Sequence, residues 1–219
     1  MISITLIIII TTVIVSLIAF KNQQVLDNLI FYPPAVSEKS QYYRFITCGF
    51  IHADIGHLAF NMISFYLFSN ALVEPFFIEN FGDYGRAALL LMYLLALVVC
   101  LLPTYWKNRT NENYRSLGAS GAVSAVVFAG IMISPLSQLG FFIIPPVIPG
   151  FIFGPLYLLL SAYMDRRGGD NINHSAHIWG ALFGVVFIII ATKFYSNYDV
   201  WSHFIEDIKF YMKTKFNIG

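Results

Sequence analysis

Apolar residues dominate this chain in six long segments, which polar or mixed stretches separate. The segments are 14 to 21 residues long, and most approach the roughly 20 residues that a helix needs to cross the hydrocarbon layer of a membrane. The predicted helices are 2–20, 57–77, 86–102, 118–134, 151–164 and 176–192. The pattern therefore predicts an all-α membrane protein whose membrane domain covers residues 1–192.

Two stretches outside these segments have patterns of their own. Residues 21–56 are too polar to span a membrane but rich in Tyr and Phe, which suit headgroup depth. We expect this stretch to be an interfacial, partly helical loop. In the tail, 193–219, apolar residues recur at helical spacing while lysines lie largely elsewhere, which predicts an amphipathic surface helix. The apolar positions of the tail are Trp201, Phe204, Ile205, Ile208 and Met212.

The composition agrees with a membrane protein. Hydrophobic residues make up 58% of the 219-residue chain and charged residues 11%, whereas a soluble domain carries about 25% charged residues. A net charge of +1 argues against nucleic acid as a partner. No basic residue precedes segment 2–20, which is also too long for the core of a signal peptide, so we predict a first spanning helix there.

Polar residues within the apolar segments are candidates for function, because each one costs free energy in a membrane. In the second segment, His57, Asn61 and Ser64 share one helix face, just after His52. Such residues commonly form hydrogen bonds between helices. His and Asn can also donate hydrogen bonds to a negative charge that develops during a reaction.

A serine opens the fourth segment within the stretch Gly118-Ala119-Ser120-Gly121. Small residues such as Gly121 and Ala125 let another helix approach closely, and this packing is common without catalysis. Ser120, however, falls in the first helical turn, where unpaired N–H groups and the helix dipole can stabilise an oxyanion. Ser124, one turn further on the same face, is a second candidate hydroxyl.

A histidine opens the sixth segment, with Gly180 and Gly184 on the same face as His177. These glycines let the sixth helix press against the small residues of the fourth, which would bring His177 within reach of Ser120. A neutral imidazole near pH 7 can take the serine proton and return it to the leaving amine.

The acidic residues lie in loops, in the tail or at helix ends, so helix packing rather than a carboxylate would orient the imidazole. This predicts a Ser–His dyad, with Asp170 left open as a third member. A metal site is a weaker alternative, because no HExxH motif and no nearby carboxylate accompanies the histidines. The histidines in question are His52, His57, His174 and His177.

Three stretches together resemble the rhomboid family of intramembrane serine proteases, in the right order and over about residues 43–184. They are "HADIGHLAFN" in the second segment, "GASG" at the start of the fourth and "AHIWGALFG" in the sixth. Glu74 is similar to the glutamate that the family carries at the end of its second helix. The combination is specific, whereas "GASG" alone would not be.

The resemblance implies a six-transmembrane-helix bundle around a water-filled cavity and a serine endopeptidase without metal or organic cofactor. It implies Ser120 as nucleophile and His177 as general base. His57, Asn61 and the Ser120 N–H would form the oxyanion hole. The substrates implied are membrane-anchored proteins, cut within or next to their spanning helix. We expect a multi-pass protein of a bacterial cytoplasmic membrane, and nothing in the sequence indicates its oligomeric state.

The chain departs from the family pattern at several points. Tyr43-Arg44 stands where Trp-Arg is usual, and Ser69-Asn70 stands where paired glycines are common. Ser124 replaces a tyrosine that packs on the catalytic imidazole, which leaves the orientation of that ring without an explanation. With six spans, the stretch 21–56 and the loops around 107–115 and 165–167 share one side of the membrane, which carries eight basic residues. The side of the termini carries five, so the positive-inside bias would place the termini outside, opposite to the family orientation. The alternative function is an inactive relative that binds or escorts membrane clients.

Overall fold

Helices form nearly all of the regular structure in a computed structural model that describes residues 3–140, 147–169 and 172–216. Each of the six predicted apolar segments contains a helix among its described residues. In chain order the helices are α1 (Ile4–Ala19), α2 (Gln23–Leu29), α3 (Pro33–Lys39), α4 (Arg44–Thr47), α5 (Ile55–Phe68), α6 (Glu74–Phe81), α7 (Gly85–Val99), α8 (Leu102–Asn108), α9 (Ser120–Ile133), α10 (Gly150–Arg167), α11 (His174–Tyr195) and α12 (Val200–Phe216). A two-stranded antiparallel ribbon, β1 (Gln138–Leu139) and β2 (Ile148–Pro149), precedes α10.

Two helical stretches among the described residues are long and apolar enough to cross a membrane. They are Ile55–Asn108, which includes the turn at Gly82, and His174–Tyr195. Ile4–Ala19 and Ser120–Ile133 are shorter apolar helices. The chain is therefore mainly helical, with apolar helices of a length that suits a membrane.

Helix α9 lies at the centre of the packing. Only Ser120, Val127 and Ile133 of this helix are partly exposed, and its other residues are buried. A Cβ atom added to Gly180 would overlap the carbonyl oxygen of Gly121, and one added to Gly184 would overlap that of Ala125. The backbones of α9 and α11 are thus in direct contact, as the small-residue pattern predicts, and only glycine fits at these positions of α11.

Glu74 joins the start of α6 to the start of α1. Its carboxylate accepts hydrogen bonds from the Ser3 hydroxyl, from the N–H of Ile4 at 2.9 Å and from the N–H of Thr5 at 3.1 Å. These N–H groups belong to the first turn of α1, where no intrahelical acceptor exists. Between α5 and α6 the helix widens into a π-helical turn, Ser69–Val73, and the Ser69 hydroxyl lies 2.6 Å from that of Thr5.

The stretch 21–56 contains three short helices and a 3₁₀ turn, Cys48–Phe50, so the prediction of a partly helical loop is confirmed. Arg44 holds this stretch together from a buried position. Its Nη1 donates to the carbonyls of Asp27 at 2.8 Å and Ile30 at 2.6 Å, and its Nε donates to the Gln41 side chain at 2.6 Å. The neighbouring Tyr43 is exposed, with its ring 5.5 Å from the guanidinium carbon.

Some predicted boundaries are wrong by several residues. The second segment continues to Phe81 rather than to residue 77, because the π-helical turn carries the helix onward. The third ends at Val99, before Pro103, which lies in the first turn of α8 instead. Proline suits that position because its missing N–H would have no partner there. The predicted tail helix is present as α12. Asp199, directly before it, accepts hydrogen bonds from the Ser202 hydroxyl and from the N–H groups of Ser202 and Trp201, which hold the pKa of its carboxyl below the usual range.

Candidate active site

Ser120 and His177 meet where the first turns of α9 and α11 lie side by side. The Ser120 Oγ is 2.8 Å from the His177 Nε2, which is hydrogen-bonding distance. Both side chains are only partly buried. In the neutral imidazole, an Nε2 that accepts the serine proton leaves the other proton on Nδ1. This contact joins a hydroxyl to a base in the way that activates a serine nucleophile.

The backbone ahead of Ser120 is held by the 21–56 loop. Phe31 and Ser116 exchange two backbone hydrogen bonds, at 3.0 and 3.1 Å, and the Gly118 N–H donates to the Cys48 carbonyl at 2.9 Å. Gly118 has φ +109°, a conformation that favours glycine. A side chain there would also run into the His57 ring, whose Cε1 would lie 2.7 Å from the added Cβ. The chain therefore enters α9 along one defined path.

His52 fixes the residue directly before Ser120. Its buried ring accepts a hydrogen bond at Nε2 from the Ala119 N–H, at 3.3 Å. Because Nε2 accepts, the proton is on Nδ1, which lies 3.0 Å from the Ser16 hydroxyl of α1. That hydroxyl donates onward to the Phe50 carbonyl at 3.0 Å. A chain of hydrogen bonds thus connects α1 to the entrance of α9. The sequence pointed to His52 only as a residue upstream of His57 and as a ligand of the weaker metal alternative, not as an acceptor for the Ala119 N–H.

Asn173 sets the start of α11 and so the position of His177. Its side-chain oxygen accepts from the Ala176 N–H at 3.1 Å and from the Thr104 hydroxyl at 3.1 Å. Asparagine is a favoured N-cap residue, because its oxygen satisfies an N–H that the helix leaves free. The His174 ring lies edge-on to the His177 ring, with centroids 5.7 Å apart. His177 therefore occupies a helical turn that is tied to α8 at its start.

An aromatic ring from α10 lies beside the His177 imidazole, roughly parallel to it. The Tyr157 ring is 6.3 Å from it between centroids, with an interplanar angle of 26°. The Tyr157 hydroxyl is 2.9 Å from the Ser124 hydroxyl on α9. Nothing in the periodicity of the sequence had pointed to Tyr157, while Ser124 was a candidate only as a second nucleophile.

The two predicted oxyanion-hole side chains lie on α5, and the His57 ring reaches the entrance of α9. The His57 ring faces Gly118, two residues before Ser120, and its Nδ1 accepts a long bond of 3.5 Å from the Ala53 N–H. Because Nδ1 accepts, the N–H proton of the neutral ring is on Nε2. Asn61 is 2% exposed and its side-chain nitrogen donates to the His57 carbonyl at 2.9 Å.

The comparison with protein families agrees with the geometry. The rhomboid domain model matches residues 39–194. This chain belongs to the rhomboid family. The matched range contains the Ser120–His177 pair, the α5 face with His57 and Asn61, and the aromatic contact from α10.

Curated relatives of this rhomboid are rhomboid-like proteins of organelles. RHOMBOID-like protein 12, mitochondrial, from Arabidopsis thaliana is 28% identical over 75% of this chain and 51% of its own length. Rhomboid-like protein 11, chloroplastic, from the same plant is 31% identical over 70% of this chain and 54% of its own. Presenilin-associated rhomboid-like protein A, mitochondrial, from Danio rerio is 29% identical over 69% and 38%. The matched part is thus about half of these relatives or less.

Two acidic side chains at the ends of this rhomboid's second apolar segment have structural partners. Asp54 caps α5 by accepting from the His57 N–H at 2.8 Å, and Glu74 caps α1. Asp170, left open as a third catalytic member, lies outside the described residues. Across residues 3–140, 147–169 and 172–216, no three His, Cys, Asp or Glu side chains are grouped in a way that could hold a metal ion.

Proposed function

We propose that this rhomboid is an intramembrane serine endopeptidase that cleaves membrane-anchored proteins by a Ser120–His177 dyad. The observation that carries the proposal is the 2.8 Å contact between the Ser120 Oγ and the His177 Nε2. A serine hydroxyl is a weak nucleophile until an adjacent base takes its proton. Two helices whose glycine contacts hold them together supply that pair without requiring a carboxylate.

The reaction follows from these positions. His177 Nε2 takes the proton as the Ser120 Oγ attacks the carbonyl carbon of the scissile peptide bond. The imidazolium then gives the proton to the nitrogen of the leaving amine, and the acyl group stays on Ser120. A water molecule, deprotonated by the same imidazole, attacks the ester carbonyl and releases the new carboxylate. The dyad returns to its starting protonation state.

The oxyanion of each tetrahedral intermediate needs hydrogen-bond donors. The Ser120 N–H belongs to the first turn of α9, where the helix offers no acceptor and the dipole favours negative charge. His57 carries its free proton on Nε2 beside Gly118. Asn61 has a second amide hydrogen besides the one it gives to the His57 carbonyl. We assign these three groups to the oxyanion hole, where one donor contributes about 3–4 kcal/mol.

The substrate is a protein with a spanning helix that unwinds locally before cleavage. A peptide bond within a helix is shielded by its own side chains and hydrogen bonds, so residues with weak helix propensity favour exposure of the bond. Water enters from the side of the polar loops, where the dyad lies in the first turns of α9 and α11.

We propose that the six apolar segments span the membrane as a bundle. Large apolar side chains are exposed along the helices in question, as expected of surfaces that face lipid. Examples are Ile10 of α1, Ile63 of α5, Leu159 of α10 and Val186 of α11, each more than half exposed. The division into a membrane domain over 1–192 and a surface tail stays a prediction, and so does the bacterial cytoplasmic membrane, since the relatives named above are mitochondrial and chloroplastic.

Cleavage of a single-span substrate in liposomes tests this function. The purified wild-type chain is expected to produce two fragments, while Ser120→Ala and His177→Asn produce none. Ser202→Ala is the matched serine control, because Ser202 is an exposed residue of α12 bonded to Asp199. If the wild type binds the substrate without cutting it, the inactive escort function replaces the protease.

A further inference from the structure

We propose that Tyr157 is a positioning residue that holds the His177 imidazole in its productive orientation, a role that rests on the proposed protease function. The Tyr157 ring lies beside the imidazole in an offset arrangement, with centroids 6.3 Å apart and an interplanar angle of 26°. At its edge, the same imidazole contacts the Ser120 Oγ through Nε2. Because Tyr157 limits the imidazole on one side and Ser120 binds it at Nε2, the ring has little freedom to turn about its side-chain bonds.

Tyr157 is itself fixed by several contacts. Its ring lies 5.7 Å from the Phe128 ring of α9 and 6.1 Å from the Phe153 ring one turn earlier on α10. Its hydroxyl is 2.9 Å from the Ser124 hydroxyl. Contacts from two helices therefore determine where the tyrosine ring lies, and a fixed ring can impose its orientation on its neighbour.

The small size of Ser124 explains why the ring next to the imidazole comes from α10 and not from α9. A residue four positions after Ser120 lies one turn along the same face of α9, so an aromatic side chain there would reach the space over the imidazole. Ser124 is small and 5% exposed, so it leaves that space to Tyr157 and supplies the hydroxyl that binds it. The serine and the tyrosine thus form one unit across the α9–α10 contact.

The expected consequence concerns the rate of the chemical step. Without the ring, the imidazole populates other rotamers, and only the fraction with Nε2 towards Ser120 can accept the proton. Substrate binding does not use Tyr157 in this account, so kcat falls while KM stays near the wild-type value. An effect on folding alone would instead lower the amount of active protein and leave the kinetics of the surviving molecules unchanged.

Three variants separate the ring from the hydroxyl. Tyr157→Leu removes both, and we expect kcat to fall about tenfold or more. Tyr157→Phe keeps the ring, and Ser124→Ala removes only the partner of the hydroxyl, so each is expected to stay within about threefold of wild type. Tyr163→Leu is the matched control, because Tyr163 lies on the same helix and is 59% exposed. Active-site titration with a fluorophosphonate gives the concentration of competent enzyme for each.

A second measurement does not depend on activity. In protein with isotope-labelled histidine, the His177 ring protons, assigned by their absence in His177→Asn, are shifted by the current of a nearby aromatic ring. Tyr157→Leu should move these signals, whereas Tyr163→Leu should leave them in place. Unmoved signals, or an equal kcat in Tyr157→Leu and wild type, overturn the proposal. If the wild type fails to cleave or label while the signals move, the protease function fails and the stacking contact stands.

Discussion

Gly180 is the position where a single methyl group tests the link between helix packing and the dyad. A Cβ added there would overlap the Gly121 carbonyl oxygen and lie 2.7 Å from its carbon. Carbon atoms in contact need roughly 3.5 Å, so the carbon alone requires a shift of about 0.8 Å. The overlapping oxygen lies closer still, so Gly180→Ala pushes α11 from α9 by about 1 Å or more. Gly180 is three residues from His177 and Gly121 follows Ser120, so the displacement reaches the dyad directly.

The magnitudes predict a folded but impaired protein. Overpacking costs about 1–3 kcal/mol, and a rigid backbone carbonyl puts this site at the upper end. Alanine recovers about 1 kcal/mol of helix propensity, so the net loss of stability is about 2 kcal/mol. The same displacement stretches the Ser120–His177 contact from 2.8 Å to about 3.8 Å or more, beyond hydrogen-bonding range. Misplacement by about 1 Å can cost a hundredfold in rate, so the loss of reactivity should exceed the loss of stability.

The assay compares the rate of fluorophosphonate labelling with the thermal unfolding midpoint in detergent. Val186→Ala is the control, because Val186 is on the same helix but 52% exposed. We expect Gly180→Ala to label about a hundredfold more slowly, with an unfolding midpoint several degrees lower. Labelling at the wild-type rate would refute the claim that the glycine contact sets the dyad distance. Loss of labelling together with global unfolding would show that the contact serves stability alone.

Three further substitutions test the groups around the dyad. Asn61→Ala removes an oxyanion donor and should slow cleavage by about 10²–10³-fold without lowering the unfolding midpoint by more than a few degrees. Glu74→Ala removes the acceptor for the first N–H groups of α1 and should destabilise the chain by about 2 kcal/mol in detergent unfolding, with fluorophosphonate reactivity retained in the folded fraction. His52→Phe keeps an aromatic ring at this position but leaves the Ala119 N–H without its acceptor, which should lower the free energy of unfolding by about 1–3 kcal/mol. It should slow labelling of Ser120 more than Ser16→Ala does, and equal rates in both variants would contradict the role given to His52.

Helix packing at the site was predictable from the sequence because it follows a period. Gly180 and Gly184 recur on the face that carries His177, and Gly121 and Ala125 recur on the face of α9 next to Ser120. Side chains three and four positions apart share a helix face, so matching small faces determine which helices touch and in which register. The short distance between Ser120 and His177 follows from that register.

The contacts that were missed depend on the rotation of one helix against another, for which no periodic signal exists. Tyr157 reaches His177 because α10 turns the face with Phe153 and Tyr157 inward. Leu159 and Leu160 of the same helix are exposed, so apolar character does not mark the inward face. The His52–Ser16 bond joins residues far apart in the chain through a loop of short helices. The π-helical turn at Ser69–Val73 likewise gives no pattern in hydrophobicity, so the end of the second segment was placed too early.

The most direct test of the central claim is to identify the residue that reacts with a fluorophosphonate. Mass spectrometry of peptides from the labelled wild type should locate the adduct on Ser120, and His177→Asn should abolish it because the base is gone. Ser124→Ala should still carry the adduct on Ser120. An adduct on another residue, or labelling of Ser120 at the same rate in His177→Asn, would contradict the assignment of a Ser–His dyad.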